Sequence, residues 1–141
     1  MTTPNLTWAD ATLVTVRYLR TAIGALSTGT YPALTGMRVG RTLPKDLAMP
    51  FTRVGRTGGP ITEVYDDARL LVESFAATGD DAAANAAIVR DLMRLMPGAR
   101  DGFTVSRVVE VGGPADISDP LTQLPRQLAT YSVRLRANAR P

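Results

Sequence analysis

Arg69-Leu70-Leu71-Val72-Glu73-Ser74-Phe75-Ala76-Ala77 is the stretch on which the fold turns. Leu70, Leu71, Val72 and Phe75 place apolar side chains on both sides of a two-residue alternation, so the segment reads as a central strand covered on both faces. Simple alternation would instead mark a sheet with one wet face. Upstream, Asp66-Asp67 reads as a turn, residues 61–65 as the return of a hairpin, and Gly58-Gly59-Pro60 as the break that ends a strand over 51–57. A loop bracketed by Pro44 and Pro50 precedes it, and before that a short strand over 37–41 alternates Met37 and Val39 with Arg38 and Gly40. Leu13, Val16, Leu19, Ile23 and Leu26 recur at three- and four-residue steps. The spacing predicts a helix over 8–26, capped by Thr7 with Asp10 in its first turn.

Downstream, Gly79-Asp80-Asp81 supplies a turn and cap. Ala84, Ile88, Leu92 and Leu95, flanked by Val89, Met93 and Met96, then form the apolar stripe of a second helix, stopped by Pro97-Gly98. Phe103, Val105, Val109 and Val111 alternate along a strand over 103–111, which Gly112-Gly113-Pro114 is expected to end. A proline-bearing loop over 112–126 follows, longer than most connections in compact domains and therefore functional or ordered by a partner. The last strand, 127–136, alternates Ala129, Tyr131, Val133 and Leu135 with polar neighbours. The expected fold is α+β, a single domain over residues 1–141. Two helices pack on a mainly antiparallel sheet of about four to five strands, in the order α-β-β-β-α-β-β.

Composition narrows the chemistry. The 141 residues are 45% hydrophobic and contain neither cysteine nor histidine, which removes thiolate and imidazole ligands, thiol nucleophiles and every His-dependent triad. No catalytic, cofactor-binding or metal-binding residue is assigned, and the protein is not expected to be an enzyme. Sixteen basic residues, all but Lys45 arginine, stand against thirteen acidic ones for a net charge of +3. Arginine presents a planar fork of donors suited to carboxylates and phosphates, but these arginines are scattered and do not form a polybasic arm. Met1 to Leu6 lacks the charged and apolar regions of a leader, and no segment is apolar enough to span a membrane, so synthesis in the cytosol is expected.

Four arginines, Arg38, Arg41, Arg53 and Arg56, could gather at one sheet edge. They either bind phosphate, or guard an edge strand and line a protein interface, and no interleaved aromatic platform supports the first reading. Gly55, Gly58 and Gly59 precede a strand rather than a helix, unlike glycines that cradle phosphate. The acidic pairs Asp66-Asp67 and Asp80-Asp81 read as turn and cap residues. A magnesium or acid-base site would need further convergent ligands. Trp8 reads as a staple at the start of the first helix or as an interface anchor, while Met93 and Met96 belong to the core.

The serial order of Phe51-Thr52-Arg53-Val54-Gly55-Arg56-Thr57, Leu71-Val72-Glu73-Ser74-Phe75-Ala76, Val108-Val109-Glu110-Val111-Gly112-Gly113-Pro114, Asp119-Pro120 and Pro125-Arg126 resembles the tail-terminator or tail-completion proteins of long-tailed phages, particularly those of actinobacteria. The resemblance spans nearly the whole chain and rests on structural motifs. It implies a virion protein of the tail or neck, assembled in the host cytoplasm. Six copies would form a ring that caps the tail tube and stops its growth. The implied partners are other copies of the chain, the major tail-tube protein and the head-completion (stopper) protein, with genomic DNA passing through the lumen without specific binding and no membrane contact. A small nucleic-acid-binding domain and another head-tail connector subunit are the alternative readings.

A closed ring needs two different patches on each protomer. The residues expected at such an interface are Arg53, Arg56, Ile61, Val64, Tyr65, Asp119 and Arg126. Arg126 is expected either to reach an acid on a neighbour or to tether the 112–126 loop within its own chain. The segment 56–67 is expected to project as a hairpin that is mobile in the free protomer and ordered by a partner. The alternative is a hairpin lying flat on its own sheet.

Overall fold

The computed structural model describes residues 5–140; residues 1–4, which belong to the stretch read for a leader, lie outside them. Nine strands and two helices follow one another as β1 (Leu6–Thr7), α1 (Ala11–Gly24), β2 (Arg38–Gly40), β3 (Phe51–Gly58), β4 (Ile61–Thr62), β5 (Tyr65–Phe75), α2 (Gly79–Arg94), β6 (Gly98–Arg100), β7 (Phe103–Asp116), β8 (Arg126–Arg136) and β9 (Asn138–Ala139), with a short 3-10 turn at Pro32–Leu34. Strands β2-β3-β5-β8-β7-β6 lie side by side in that order, and β4 adds to β5 as a seventh strand. A separate two-stranded ribbon joins β1 to β9.

This corrects the expected sheet of four to five mainly antiparallel strands. The sheet has seven strands and is mixed, because β2 runs parallel to β3, with Arg38 opposite Phe51. The additional strands are two or three residues long, below the length at which alternation is readable. β6 joins β7 through Asp101-Gly102, whose φ angles of 53° and 81° are both positive, as a two-residue type I′ hairpin requires.

Other expectations shift at their edges. Thr7 is drawn into the β1–β9 ribbon, so Asp10 caps α1 instead, its carboxylate accepting from the Leu13 amide at 3.1 Å. Thr78 caps α2 by accepting from the Asp81 amide at 3.2 Å, with Asp80 and Asp81 in the favourable first turn. Asp66 and Asp67 form no turn: both lie inside β5, and the chain reverses at Glu63 and Val64, with Glu63 at φ 50°. Gly112-Gly113-Pro114 does not end β7, which continues to Asp116. Beyond the short β6 pairing, β7 is an edge strand, and an edge tolerates a proline that has no amide to offer outward. The connecting loop therefore covers only 117–125.

Both helices lie on one face of the sheet. Val14, Leu19 and Ile23 of α1 and Val89 and Met93 of α2 share a single buried cluster with Val54, Leu70, Val72, Tyr131, Val133 and Leu135 of β3, β5 and β8. β8 shows the consequence in strict alternation, with Gln127, Ala129, Tyr131, Val133 and Leu135 buried and their neighbours partly exposed. Arg100 fastens the layers. Its guanidinium donates to the Met96 and Leu95 carbonyls at the end of α2, at 2.7 and 3.1 Å, and lies 4.5 Å over the Tyr18 ring of α1. β5 is central, as expected, but only its C-terminal end is covered on both faces: Glu73, Ser74 and Phe75 are all buried, whereas Leu71 is half-exposed.

Candidate interaction surface

The uncovered face of the sheet is closed at one end by side chains. Cross-strand pairing sets Arg53 opposite Glu73 and Phe75 opposite Arg126, all on the side away from the helices. Arg53 grips Glu73 with two parallel hydrogen bonds of 2.8 Å, and Arg126 donates to the same carboxylate at 2.9 Å. Such forked contacts are the strong geometry for arginine. Both guanidinium groups also lie over the Phe75 ring, at 5.5 and 5.9 Å from its centre. The result is one carboxylate clamped between two cations over a buried aromatic floor.

That clamp anchors the 117–125 loop. Arg126 Nε donates to the Ile117 carbonyl at 3.1 Å, so its side chain tethers the loop within its own chain. Asp119 organises the tip: its carboxylate accepts from the Leu121 amide at 3.2 Å and the Thr122 hydroxyl at 2.7 Å, while its backbone bonds Leu124 and Gln123. The Thr122 hydroxyl, with the Leu121 amide and the nearby Arg126 and Arg53 charges, holds the Asp119 carboxyl below its ordinary range. On this stiffened loop Leu121 stands 91% exposed, and Ile117 beside it is also exposed.

The hairpin around β4 is similarly tied to the body. Arg56 binds both oxygens of Asp66 at 2.7 Å, and its remaining donors reach the Gly58 and Gly59 carbonyls. Gly59, at φ 102°, lies so close to β5 that a Cβ there would fall 2.0 Å from the Asp67 carbonyl oxygen. Ile61 and Thr62 pair with Asp66 and Tyr65, and the Asp67 amide donates to the Pro60 carbonyl. The segment thus lies on its own sheet. Ile61 projects, 57% exposed, whereas Val64 and Tyr65 are half-buried.

The four arginines singled out in sequence are each engaged by a carboxylate: Arg38 by Asp46, Arg41 by Asp10, Arg53 by Glu73 and Arg56 by Asp66. They do not form one cluster of free cations. Trp8 is partly exposed near the start of α1. No group of three or more acidic side chains positioned to hold a metal ion occurs among the described residues, and no helix there is long and apolar enough to cross a membrane.

Sequence reasoning missed the free edge. β6 pairs with β7 only at Phe103–Val105, leaving residues 106–116 with unpaired outward amides and carbonyls. Val109 and Val111 on this edge are 42% and 47% exposed, and the exposed Ile117 and Leu121 follow on the next loop. On the opposite flank, β2 pairs with β3 only at Phe51–Arg53, leaving residues 54–58 unpaired on that side. Irregular register between Val105 and Arg107 and twice between Glu110 and Ala115 bends the β7 edge. The excess of valine over 105–111 was the available signal, but a pattern of valines does not say which strand lies outermost.

No model of a known protein family matches the sequence, and no curated protein sequence matches it. Among solved structures, a chain from the virion of a native gene transfer agent (GTA) particle has the same fold. The two superpose with a TM-score of 0.62 at 18% identity, over 92% of this chain and 99% of that one.

Proposed function

We propose that this protein is a structural subunit of a phage-like particle, and within that class a tail terminator: a non-enzymatic subunit, six copies of which form a ring that caps the tail tube and offers a docking surface to the head-completion protein. The observation that carries this reading is the fold shared, over nearly the full length of both chains, with a component of a GTA virion. The surface supports it. A ring needs two unlike patches whose contact repeats around an axis. The β7 edge with its exposed valines and the β3 edge on the opposite flank of the sheet are unlike patches of this kind.

The loop tip carrying Leu121 suits an axial contact with the tube or the stopper protein. It is an apolar knob held in shape before binding, which lowers the ordering cost of association. Arg53, Asp119 and Arg126 serve the interface by stiffening this loop, and Ile61 supplies an exposed apolar contact beside Val64, Tyr65 and Arg56.

Electron cryo-microscopy of particles carrying this chain tests the reading. The expected result is a six-fold ring at the head-proximal end of the tail tube. A position elsewhere in the particle, or a ring of another symmetry, overturns it.

A further inference from the structure

The uncovered sheet face concentrates charge to a degree that the whole-chain value conceals. On the four long strands β3, β5, β8 and β7, the side away from the helices bears Arg53, Arg69, Arg107, Arg126, Arg134 and Arg136, against only Asp67 and Glu73. Six cations and two anions leave +4 on this one face, more than the +3 of the entire chain. Arg53 and Arg126 are committed to Glu73 at one end. At the other end Arg134 is held by Asp67, while Arg69, Arg107 and Arg136 are exposed and have no carboxylate partner among the described residues.

Register makes this arrangement costly for the protein alone. Arg107 stands directly opposite Arg134, and like charges facing each other across two strands destabilise a sheet. Asp67, on the far side of Arg134, is paired with Arg134 and reaches Arg107 only as a more distant charge, so it compensates only in part. An anionic partner removes that cost.

We infer that this cationic end of the open sheet face, centred on Arg69, Arg107, Arg134 and Arg136, contacts the phosphate backbone of duplex DNA. The chemistry of the surroundings favours phosphate. Ser132 and Thr104 stand among the arginines on the same face, and arginine, serine and threonine are among the side chains that contact phosphate oxygens. The patch has no exposed aromatic platform for unstacked bases, since Tyr65 is half-buried with Arg134 lying 4.9 Å over its ring. A broad sheet face presents no helix or two-stranded ribbon to a major groove, so the contact is indifferent to sequence. The inference stands on charge placement and does not depend on the ring.

Fluorescence anisotropy with a labelled 24-base-pair duplex tests it, titrated with the full chain at several salt concentrations. Three to four phosphate contacts predict that affinity falls about 40- to 150-fold between 50 and 200 mM salt. The variant R69S/R107S/R136S is expected to lose tenfold or more at 50 mM, with a much shallower salt dependence. A control of equal charge change, R17S/R90S/R94S on the helical layer, is expected to lose less than threefold. Circular dichroism confirms that both variants are folded. Equal losses in the two variants, or no binding at 50 mM, overturn the inference. Binding to polyglutamate as tight as to duplex at equal charge concentration also overturns it, and assigns the face to an acidic protein.

Discussion

Replacing Glu73 with glutamine isolates the clamp at the closed end of the sheet. The change keeps the side chain's shape but removes the one negative charge between Arg53 and Arg126, and turns an NH2 group toward a guanidinium donor. Glu73 and Arg126 have side chains only 5% and 12% exposed, whereas Arg53 is 31% exposed. Breaking a fully buried pair costs about 3–5 kcal/mol, and exposed pairs contribute at most about 1 kcal/mol. Most of the loss therefore comes from stranding Arg126. The expected destabilisation is about 3 kcal/mol, equivalent to a fall of roughly 9 °C in the thermal midpoint for a domain of this size.

Urea denaturation followed by circular dichroism measures the loss. Hydrogen exchange supplies a second readout, because Arg126 also holds the Ile117 carbonyl: the Asp119 and Gln123 amides, bonded inside the 117–125 loop, should exchange faster. A double-mutant cycle with R126M completes the test. A cost for E73Q below about 1 kcal/mol, or costs that simply add within about 0.5 kcal/mol, would refute the idea that one buried carboxylate couples the sheet to the loop.

Gly59→Ala should cost at least about 3 kcal/mol, because its Cβ would overlap β5 backbone at a positive φ, while Gly55→Ala, with nothing within 4 Å, should be close to neutral by the same unfolding assay. Asp67, lowered from 3.8 chiefly by its Arg134 hydrogen bonds, and Asp119, lowered chiefly by the Thr122 hydroxyl, give stability that is fully present above the ordinary carboxylate value and is lost as pH falls through their folded values. Thermal midpoints should thus drop below pH 4, and D67N/D119N should flatten that part of the profile while lowering the midpoint at pH 7. Leu121→Ser should change stability by less than about 0.5 kcal/mol, since the side chain is already exposed, yet reduce joining of tails to heads as counted by electron microscopy. I61S/V64S should leave the protomer folded by circular dichroism and disturb tail length or head attachment in the same counts.

What the sequence disclosed was the periodic part. The stripe from Leu13 to Ile23 and the alternation from Ala129 to Leu135 carry enough repeats to define a face. In the second helix the buried side is instead Ala82, Ala86, Val89 and Met93, so the expected stripe is rotated and Ala84 and Leu95 are exposed. Pairing decided the rest. Asp66 and Asp67 look like turn formers until Arg56 and Arg134 arrive from strands 10 and 67 residues away. Gly112-Gly113-Pro114 looks like a stop until β7 proves to be an edge. Asp101-Gly102 was a legible hairpin signal, but the three-residue strand before it gave no alternation to pair it with.

The candidate surface was hidden for the same reason. Arg53, Arg56 and Arg126 draw notice because they sit near glycines or prolines, and each proves to have an internal partner. Arg69, Arg107 and Arg136 lie far apart in sequence and come onto one end of a shared face only through the order β5-β8-β7.

The ribbon between Leu6–Thr7 and Asn138–Ala139 sets a timetable for synthesis. With two residue pairs it cannot form on its own, and it must close a loop of on the order of 130 residues, so it waits for a body already assembled between its halves. Helix α1, capped locally by Asp10, can form while the ribosome is still reading the sheet. Leu6 and Thr7 then stay unpaired until residues 138 and 139 leave the exit tunnel, so this corner takes shape after every strand and helix that lies between its two halves.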